Sequence, residues 1–213
     1  MISDIIIAGV GGQGVLLASR ILGALALRLN RDVKVSEIHG MAQRGGSVIT
    51  HVRIGGEGDL IRAPLVTEGE AGAVIAFEPL EALRALPYLT PKGGLIITNT
   101  RPIPPMSVLT GAAKYPSDVM ESLTASPDRQ VAAFDAQALA EKHKAPRAVN
   151  IALLGALAAR PILRDETTDE PIPLPVWESA VADAVPPRTL ESNLAVFRDS
   201  YYNSSDNSLN RPK

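Results

Sequence analysis

The stretch IIIAGVGGQGVLLASRILG, residues 5–23, decides the fold. It opens with apolar, mostly β-branched residues, passes through glycines at positions 9, 11, 12 and 14, and ends in apolar residues at helical spacing. This order predicts a buried parallel strand, a tight turn and a mostly buried helix. Backbone N–H groups in such a turn, together with the positive end of the helix dipole, approach a phosphate closely. The stretch therefore predicts either an anion site or a tight strand-to-helix turn without a ligand.

The same glycines raise the alternative of a dinucleotide site. Gly9, Gly11 and Gly14 have the spacing G-x-G-x-x-G, and Glu37 follows where such folds place a ribose-binding acid. The continuation of the chain argues against this interpretation. Residues 32–39, DVKVSEIH, and residues 47–55, SVITHVRIG, both alternate and predict strands. The loop between them is too short for a parallel crossover, which needs about a dozen residues, so an antiparallel pair is expected.

Strand and helix patterns alternate through the rest of the chain. Further strands are predicted in AGAVIAF (71–77), GGLIITNT (93–100) and QVAAFDA (130–136). Helices are predicted in residues 78–89, 115–123, 136–144, 147–159, 173–185 and 187–203. The alternation predicts an α/β fold with three α/β/α layers, a mainly parallel mixed sheet and a Rossmann-like Gly-rich first turn. Residues 1–200 are expected to form one domain, and residues 201–213 a polar C-terminal tail.

The composition argues against several classes of function. A net charge of −2 leaves no electrostatic footprint for nucleic acid or an anionic membrane. Without cysteine the chain holds no iron–sulfur cluster, thiolate zinc site or disulfide, and its three histidines are scattered. The first residues lack the basic region of a signal peptide, and no apolar run approaches the roughly 20 residues of a membrane helix. A soluble cytoplasmic protein is expected.

Two long motifs together carry a family resemblance. Residues 9–23, GVGGQGVLLASRILG, and residues 35–55, VSEIHGMAQRGGSVITHVRIG, resemble the γ subunits and γ domains of 2-oxoacid:ferredoxin oxidoreductases. Within that family, HGMAQRGGSV is most similar to the β subunits of the indolepyruvate enzymes. The segments FEPLEALRALPYL, GGLIITNT, PIPP and VNIALLGALA also look like parts of the family. The resemblance extends from residue 4 to about residue 197.

The resemblance implies an activity and its partners. Such enzymes convert a 2-oxoacid, here indolepyruvate or another arylpyruvate, and coenzyme A to acyl-coenzyme A and CO2 while reducing ferredoxin. Thiamine diphosphate and 4Fe–4S clusters are implied in a large catalytic α subunit, and none in this chain, which agrees with its lack of cysteine. The resemblance implies a hetero-oligomer with that α subunit, and ferredoxin is implied to bind to the complex. The isolated chain is expected to be inactive, with neither nucleic acid nor a membrane as partner.

The resemblance also implies that this chain shares in the coenzyme A site and contributes no catalytic or metal-binding residue. The implied binding residues are Gly11, Gly12, Gln13, Gly14, Gln43, Arg44 and Asn150. One departure concerns Gln43 and Arg44, because some relatives carry two lysines there. The anion site of this chain therefore has one cation fewer.

Each candidate side chain has a plain structural alternative. Arg44 either donates a fork of hydrogen bonds to a phosphate or is a solvated loop charge. Asn150 is either the N-cap of the helix IALLGALAA or, if the helix starts upstream, an interior residue facing the site. His39 either orients a ligand or makes a hydrogen bond at a strand end. For the whole chain, the alternatives are a stand-alone NAD-dependent oxidoreductase with a parallel crossover after Glu37, and a structural subunit without a ligand.

Overall fold

The computed structural model describes residues 2–11, 14–39, 46–166 and 168–205. Its strands are β1 (Ser3–Val10), β2 (Val33–His39), β3 (Ser47–Ile54), β4 (Ala73–Ala76), β5 (Leu95–Asn99) and β6 (Gln130–Phe134). Its helices are α1 (Val15–Arg28), α2 (Pro79–Ala85), α3 (Met106–Leu109), α4 (Val119–Thr124), α5 (Ala136–Lys142), α6 (Val149–Ala158), α7 (Leu174–Ala184) and α8 (Leu190–Ser205).

The six strands form one mixed sheet in the order β2-β3-β1-β4-β5-β6. The pairs β1/β4, β4/β5 and β5/β6 are parallel, and β3 is antiparallel to both β1 and β2. The antiparallel return after β2 confirms the expectation drawn from the short loop. β1 is therefore the strand at which the sheet changes from parallel to antiparallel pairing.

Helices cover both faces of the sheet. Ile5 and Ile7 of β1 face a large core shared with α1, α6, α7 and α8. Ile6 and Ala8 face a smaller core formed with α2 and α4. The alternation arises because successive side chains of a strand point to opposite faces. This arrangement confirms the predicted three-layer α/β/α fold with a mainly parallel sheet.

The larger helical layer depends on a close contact between α6 and α8. A Cβ added at Gly155 would lie 2.5 Å from the carbonyl oxygen of Phe197, so only glycine allows this approach. The hydroxyl of Ser200 on α8 donates to the carbonyl oxygen of Ala152 on α6 at 2.6 Å. This contact fixes α6 against α8. Asn150, the second residue of α6, then lies next to Gly14 at the start of α1.

Some local features differ from the sequence expectations. The short helix α3 and the 3-10 turns Leu86–Tyr88 and Pro187–Thr189 lack a strong periodic signal, since each is only one turn long. Helix α8 continues to Ser205, and the tail beyond it lies outside the described residues. None of the helices in the described ranges is long and apolar enough to cross a membrane.

Candidate functional site

The Gly-rich turn follows β1 at the carboxyl end of the parallel strands. The backbone N–H of Gly11 donates to the carbonyl oxygen of Gly46 at 2.9 Å, which joins the turn to the residue before β3. On the other side of β1, the N–H of Phe77 donates to the carbonyl oxygen of Ala8 at 2.9 Å. The turn is therefore held between the antiparallel and the parallel halves of the sheet. Open α/β sheets bind ligands at the carboxyl ends of their strands.

Helix α1 presents its N-terminus to this point. Gly14 is the N-cap residue and has a left-handed backbone with φ of 89°, which favours glycine. Its carbonyl oxygen accepts from the N–H groups of Leu17 and Ala18 at 3.1 Å. The first turn of α1 carries no acidic residue. The positive end of the helix dipole is thus not neutralised from within the helix.

A cleft of about 480 Å³ opens beside this helix terminus. It is lined by the Gly-rich turn, the first residues of α1 and the adjoining ends of β2 and β3. The lining residues are Gly11, Gly14, Val15, Leu16, Glu37, His39 and Val48. His39 and Val48 are paired across the two strands, so they lie on the same face of the sheet as Glu37. The cleft thus combines backbone donors, one exposed carboxylate and one exposed imidazole.

Asn150 reaches the turn from helix α6, far along the chain. It is the second residue of α6 and only 2 % exposed, and its Nδ2 donates to the carbonyl oxygen of Gly14 at 3.3 Å. The N-cap of α6 is Ala148. The structure therefore supports the interior alternative for Asn150 and not the N-cap. A Cβ at Gly14 would lie 2.9 Å from Asn150 Nδ2, so glycine also gives the amide its space.

The structure brings together Gly11, Gly14 and Asn150 of the predicted site. Gly12, Gln13, Gln43 and Arg44 lie outside the described residues. The flanks of the segment that contains Gln43 and Arg44 are nevertheless near the turn: His39 lines the cleft, and Gly46 bonds to Gly11.

Two buried glutamates, Glu78 and Glu81, lie at the start of α2, beside the junction between the parallel and the antiparallel strands. We call this junction at β1 the seam of the sheet. The sequence motifs did not indicate these residues. Glu81 on α2 accepts from the hydroxyl of Ser47 at the start of β3, and from Arg84 Nη1 at 2.5 Å. Glu78 caps α2 by accepting from the N–H of Glu81 at 2.6 Å. The sequence signal was an acid, a proline and an acid, EPLE, at a helix start, which is a capping pattern. Glu81 therefore joins β3 to α2, and Glu78 caps the helix that carries Glu81.

The second oxygen of Glu78 is bound by a tyrosine. The hydroxyl of Tyr115 donates to Glu78 Oε2 at 2.8 Å. Burial of the phenol, and then its hydrogen bond to the carboxylate, raise the pKa of Tyr115. Tyr115 therefore remains a hydrogen-bond donor at neutral pH. The pair ties the segment before α4 to the N-cap of α2.

Strand β3 also buries an imidazole behind the cleft. His51 Nδ1 accepts from the N–H of Val66 at 3.1 Å, and its ring meets that of Tyr88 edge-on at 5.2 Å between centroids. Burial, followed by repulsion from Arg53, lowers the pKa of His51. It lies on the opposite face from Glu37, because alternate residues of β3 face opposite ways. His51 therefore has a structural position and not one in the cleft.

The topology is incompatible with the expectation of the NAD-dependent alternative. That alternative requires a parallel crossover after Glu37, whereas β3 returns antiparallel and inserts between β2 and β1. Glu37 is then two strands away from β1, with β3 in between. The G-x-G-x-x-G spacing is present without the strand order that makes it a dinucleotide fingerprint.

Comparison with known proteins agrees with this fold. The family model "Pyruvate ferredoxin/flavodoxin oxidoreductase" matches residues 4–202. The chain is 42 % identical over 196 residues to an indolepyruvate oxidoreductase subunit IorB from Thermococcus kodakarensis, covering 91 % of this chain and 92 % of the relative.

Solved structures resemble the chain along nearly its whole length. The gamma subunit of a keto/oxoacid ferredoxin oxidoreductase from Geobacter sulfurreducens aligns with a TM-score of 0.66 and 22 % identity, over 95 % of this chain and 98 % of that one. The 2-oxoglutarate:ferredoxin oxidoreductase from Magnetococcus marinus, solved with 2-oxoglutarate, coenzyme A and succinyl-CoA bound, aligns with a TM-score of 0.69 and 15 % identity. That alignment covers 99 % of this chain and 32 % of the larger one.

The fold is that of an α/β protein whose Gly-rich turn follows β1, the strand at which the sheet changes from parallel to antiparallel pairing. The family match and the solved structures assign this fold to the oxoacid oxidoreductase subunits. The chain belongs to the pyruvate ferredoxin/flavodoxin oxidoreductase family. The resemblance seen in the sequence motifs is confirmed.

Proposed function

We propose that this chain is the small subunit of a cytoplasmic indolepyruvate or arylpyruvate:ferredoxin oxidoreductase. The reaction converts the 2-oxoacid and coenzyme A to acyl-coenzyme A and CO2, and the two electrons released reduce two ferredoxins. The curated relative at 42 % identity is a subunit of an indolepyruvate oxidoreductase, which supports this choice of substrate. In this proposal the chain joins a large catalytic α subunit and shares its coenzyme A site.

The proposal assigns the redox cofactors to the α subunit. Bound thiamine diphosphate would supply decarboxylation, and the 4Fe–4S clusters electron transfer. This chain has no cysteine to ligate a cluster. The purified chain should therefore be colourless and unable to turn over 2-oxoacids. An iron–sulfur absorption band from the polypeptide, or turnover without a partner, would contradict this assignment.

Assembly with a larger subunit is supported by apolar side chains that the isolated chain leaves open. Val35 and Ile38 on the edge strand β2 are each 45 % exposed, and Leu60 in the loop between β3 and β4 is 76 % exposed. An unpaired strand edge with apolar side chains is a feature that proteins usually cover. We expect the α subunit to cover part of this surface.

The single observation that carries the coenzyme A site is the cleft at the Gly-rich turn. It places the unneutralised N-terminus of α1 beside a glycine turn, and that combination suits a phosphate or diphosphate. Asn150 donates to the carbonyl oxygen of Gly14, the left-handed residue that precedes α1. The residues proposed to bind the ligand are Gly11, Gly12, Gln13, Gly14, Gln43, Arg44 and Asn150.

The proposed roles follow from the chemistry of each group. Backbone N–H groups of the turn would bind the diphosphate, and the guanidinium of Arg44 would share its charge. Glu37 carries a negative charge and suits a hydroxyl or amino donor better than a phosphate. In this arrangement the chain orients coenzyme A toward the partner's centre and transfers no proton itself.

The test is Arg44→Ala in the assembled enzyme. A charge-assisted contact is worth about 1.5–3 kcal/mol, so the apparent affinity for coenzyme A should weaken about ten- to a hundredfold. The effect should shrink at high salt if the contact is partly exposed. The matched control is Arg62→Ala, an exposed arginine in the loop after β3, which should leave the coenzyme A requirement unchanged.

A second measurement separates the site from the subunit interface. Decarboxylation without coenzyme A, followed through an artificial electron acceptor, should be nearly unaffected by Arg44→Ala. An unchanged coenzyme A requirement with a lost first half-reaction would show that Arg44 serves the interface. If substitutions at the Gly-rich turn alter assembly alone and leave coenzyme A affinity unchanged, the chain is a structural subunit without a ligand.

A further inference from the structure

A second groove, lined by basic residues, lies near the Gly-rich turn, because Asn150 both lines this groove and contacts Gly14. It has a volume of about 360 Å³ and is enclosed by residues 144–148, by the turn between α7 and α8, and by Leu17 of α1. Three cationic side chains line it: Lys144, Arg147 and Arg188. No carboxylate is among its described lining residues.

These three cationic side chains differ from their neighbours, which are paired with acidic side chains. Lys142 and His143, directly before the groove, both contact Asp199, and Arg101 contacts Asp135. Across the described ranges, by contrast, no ion pair or side-chain hydrogen bond involves Lys144, Arg147 or Arg188. Glu191 is exposed three residues after Arg188 but does not line the groove. The groove is therefore a concentration of positive charge on a chain whose net charge is −2.

The neutral polar side chains in the lining are hydrogen-bonded within the turn between α7 and α8. The hydroxyl of Thr189 donates to the carbonyl oxygen of Pro186, and the hydroxyl of Ser192 donates to that of Thr189, so these side chains stabilise the turn before α8. Asn193 Nδ2 donates to the carbonyl oxygen of Thr189 at 2.7 Å, which ties the α7–α8 turn to the helix. The donors that face a ligand are therefore the three cations, and two guanidinium groups and an ammonium group without a competing carboxylate suit a phosphate group.

Asn150 connects this groove with the cleft at the Gly-rich turn. The same side chain that donates to Gly14 also lines the basic groove. Leu16 lines the cleft and its neighbour Leu17 lines the groove, so both sites border the first turn of α1. A ligand held at the first site therefore comes within reach of the second when it carries another anionic group.

We infer that this groove binds the 3′-phosphate of coenzyme A, an inference that rests on the coenzyme A site proposed above. Coenzyme A carries a diphosphate and, on the neighbouring ribose, a separate phosphomonoester. The diphosphate occupies the Gly-rich turn, and the phosphomonoester meets Arg147 and Arg188 in the groove. The two anion sites of the chain thus match the two anionic parts of one ligand.

The probe is dephospho-coenzyme A, which lacks only the 3′-phosphate. In the assembled wild-type enzyme, the apparent constant for dephospho-coenzyme A should exceed that for coenzyme A by about ten- to a hundredfold. In the double variant Arg147→Gln/Arg188→Gln this ratio should fall toward one, because coenzyme A binds less well while dephospho-coenzyme A binds as before. Lys92→Gln is the control and should keep the wild-type ratio. Lys92 is exposed and precedes β5, at the amino ends of the parallel strands, whereas the Gly-rich turn lies at their carboxyl ends.

The result that overturns the inference is an unchanged ratio in the double variant, or an equal loss for both probes. If the double variant does not assemble with the α subunit, the single variants decide, and each should lower the ratio at least about threefold. Failure here is distinguishable from failure of the coenzyme A site. When Arg44→Ala weakens coenzyme A but the groove variants keep the ratio, this inference alone falls. When Arg44→Ala and the substitutions at the Gly-rich turn all leave coenzyme A affinity unchanged, both fall.

Discussion

The two halves of the sheet are covered very differently. Strands β4 and β5 are buried at every position, beneath helices on both faces. Strand β2, at the edge of the antiparallel half, has no fully buried residue and exposes Val35 and Ile38. Parallel strands of α/β folds are generally buried on both faces, whereas antiparallel strands tolerate an open face.

The difference indicates that the parallel half contributes most to stability, whereas the antiparallel half offers surface for binding. The parallel half contains most of the apolar core, and the antiparallel half carries the open cleft wall and the exposed edge. The Gly-rich turn lies where the halves meet at β1. A ligand or a partner bound at the antiparallel half therefore acts on a surface that the parallel half holds in place.

The largest expected effect tests this division directly. Ile75→Ala, in the middle of β4, should lower the free energy of unfolding by about 2–5 kcal/mol, because it leaves a cavity in a fully buried strand. Val35→Ala on β2 should change it by less than about 0.5 kcal/mol, because the side chain is 45 % exposed. Urea unfolding of the purified chain measures both. Similar costs at the two positions would show that the halves contribute equally.

The next effect concerns the attachment of one half to the other. Glu81→Gln weakens the contacts that Ser47 and Arg84 make with a buried carboxylate, and should cost about 1–3 kcal/mol. Glu68→Gln is the control, since Glu68 is exposed in a loop. The same unfolding assay measures both variants. A loss for Glu68→Gln as large as that for Glu81→Gln would argue against a role of the buried glutamate at the seam.

A smaller effect separates backbone strain from packing at the Gly-rich turn. Gly14→Ala and Gly69→Ala both place alanine at a positive φ, which costs about 1–2 kcal/mol. Gly14→Ala should cost more, because its Cβ would meet Asn150, whereas nothing lies within 4 Å at Gly69. Thermal unfolding should show that the excess disappears when Asn150 is also replaced by alanine. An excess that persists in the double variant would place the strain elsewhere.

The smallest effect is a pH dependence that arises from β3. Burial lowers the pKa of His51 below its ordinary value of 6.5, so below that pH the unfolded chain takes up a proton that the folded chain resists. Stability contributed by neutral His51 is complete above pH 6.5 and declines as the pH falls. At pH 5.5 the loss is at most about 1.4 kcal/mol.

The measurement is the difference in unfolding free energy between pH 7.5 and pH 5.5, for wild type and for His51→Gln. The variant should lose this part of the pH dependence, while other titrating groups contribute equally to both proteins. Identical pH profiles would show that His51 does not resist protonation in the fold.

Much of the fold follows from local sequence signals. The strand–glycine–helix order of residues 5–23 predicted β1, the turn and α1, because periodicity and glycine positions are properties of neighbouring residues. The short loop after His39 predicted that β3 pairs antiparallel with β2, because chain length alone excludes a crossover. The paired glycine motifs likewise identified the family.

The candidate site was predictable only in part. The glycines were visible in the sequence, but the role of Asn150 was open between a cap and an interior position. The boundary of α6 decides between them, and helix boundaries depend on packing as well as on local propensity. The contact of Glu81 with Ser47 was not predictable from the sequence, because the two residues belong to different elements and are 34 residues apart.

The sequence by itself determined the family, the order of the main strands and helices and the place of the Gly-rich turn. Only the tertiary structure decided which distant side chains meet at that turn. Asn150 and Gly14 are 136 residues apart, and Lys144, Arg147 and Arg188 come together only because α1, α6 and α8 pack side by side. The physical reason is that local patterns are set by neighbours along the chain, whereas a site is assembled by the burial of apolar faces from separate segments.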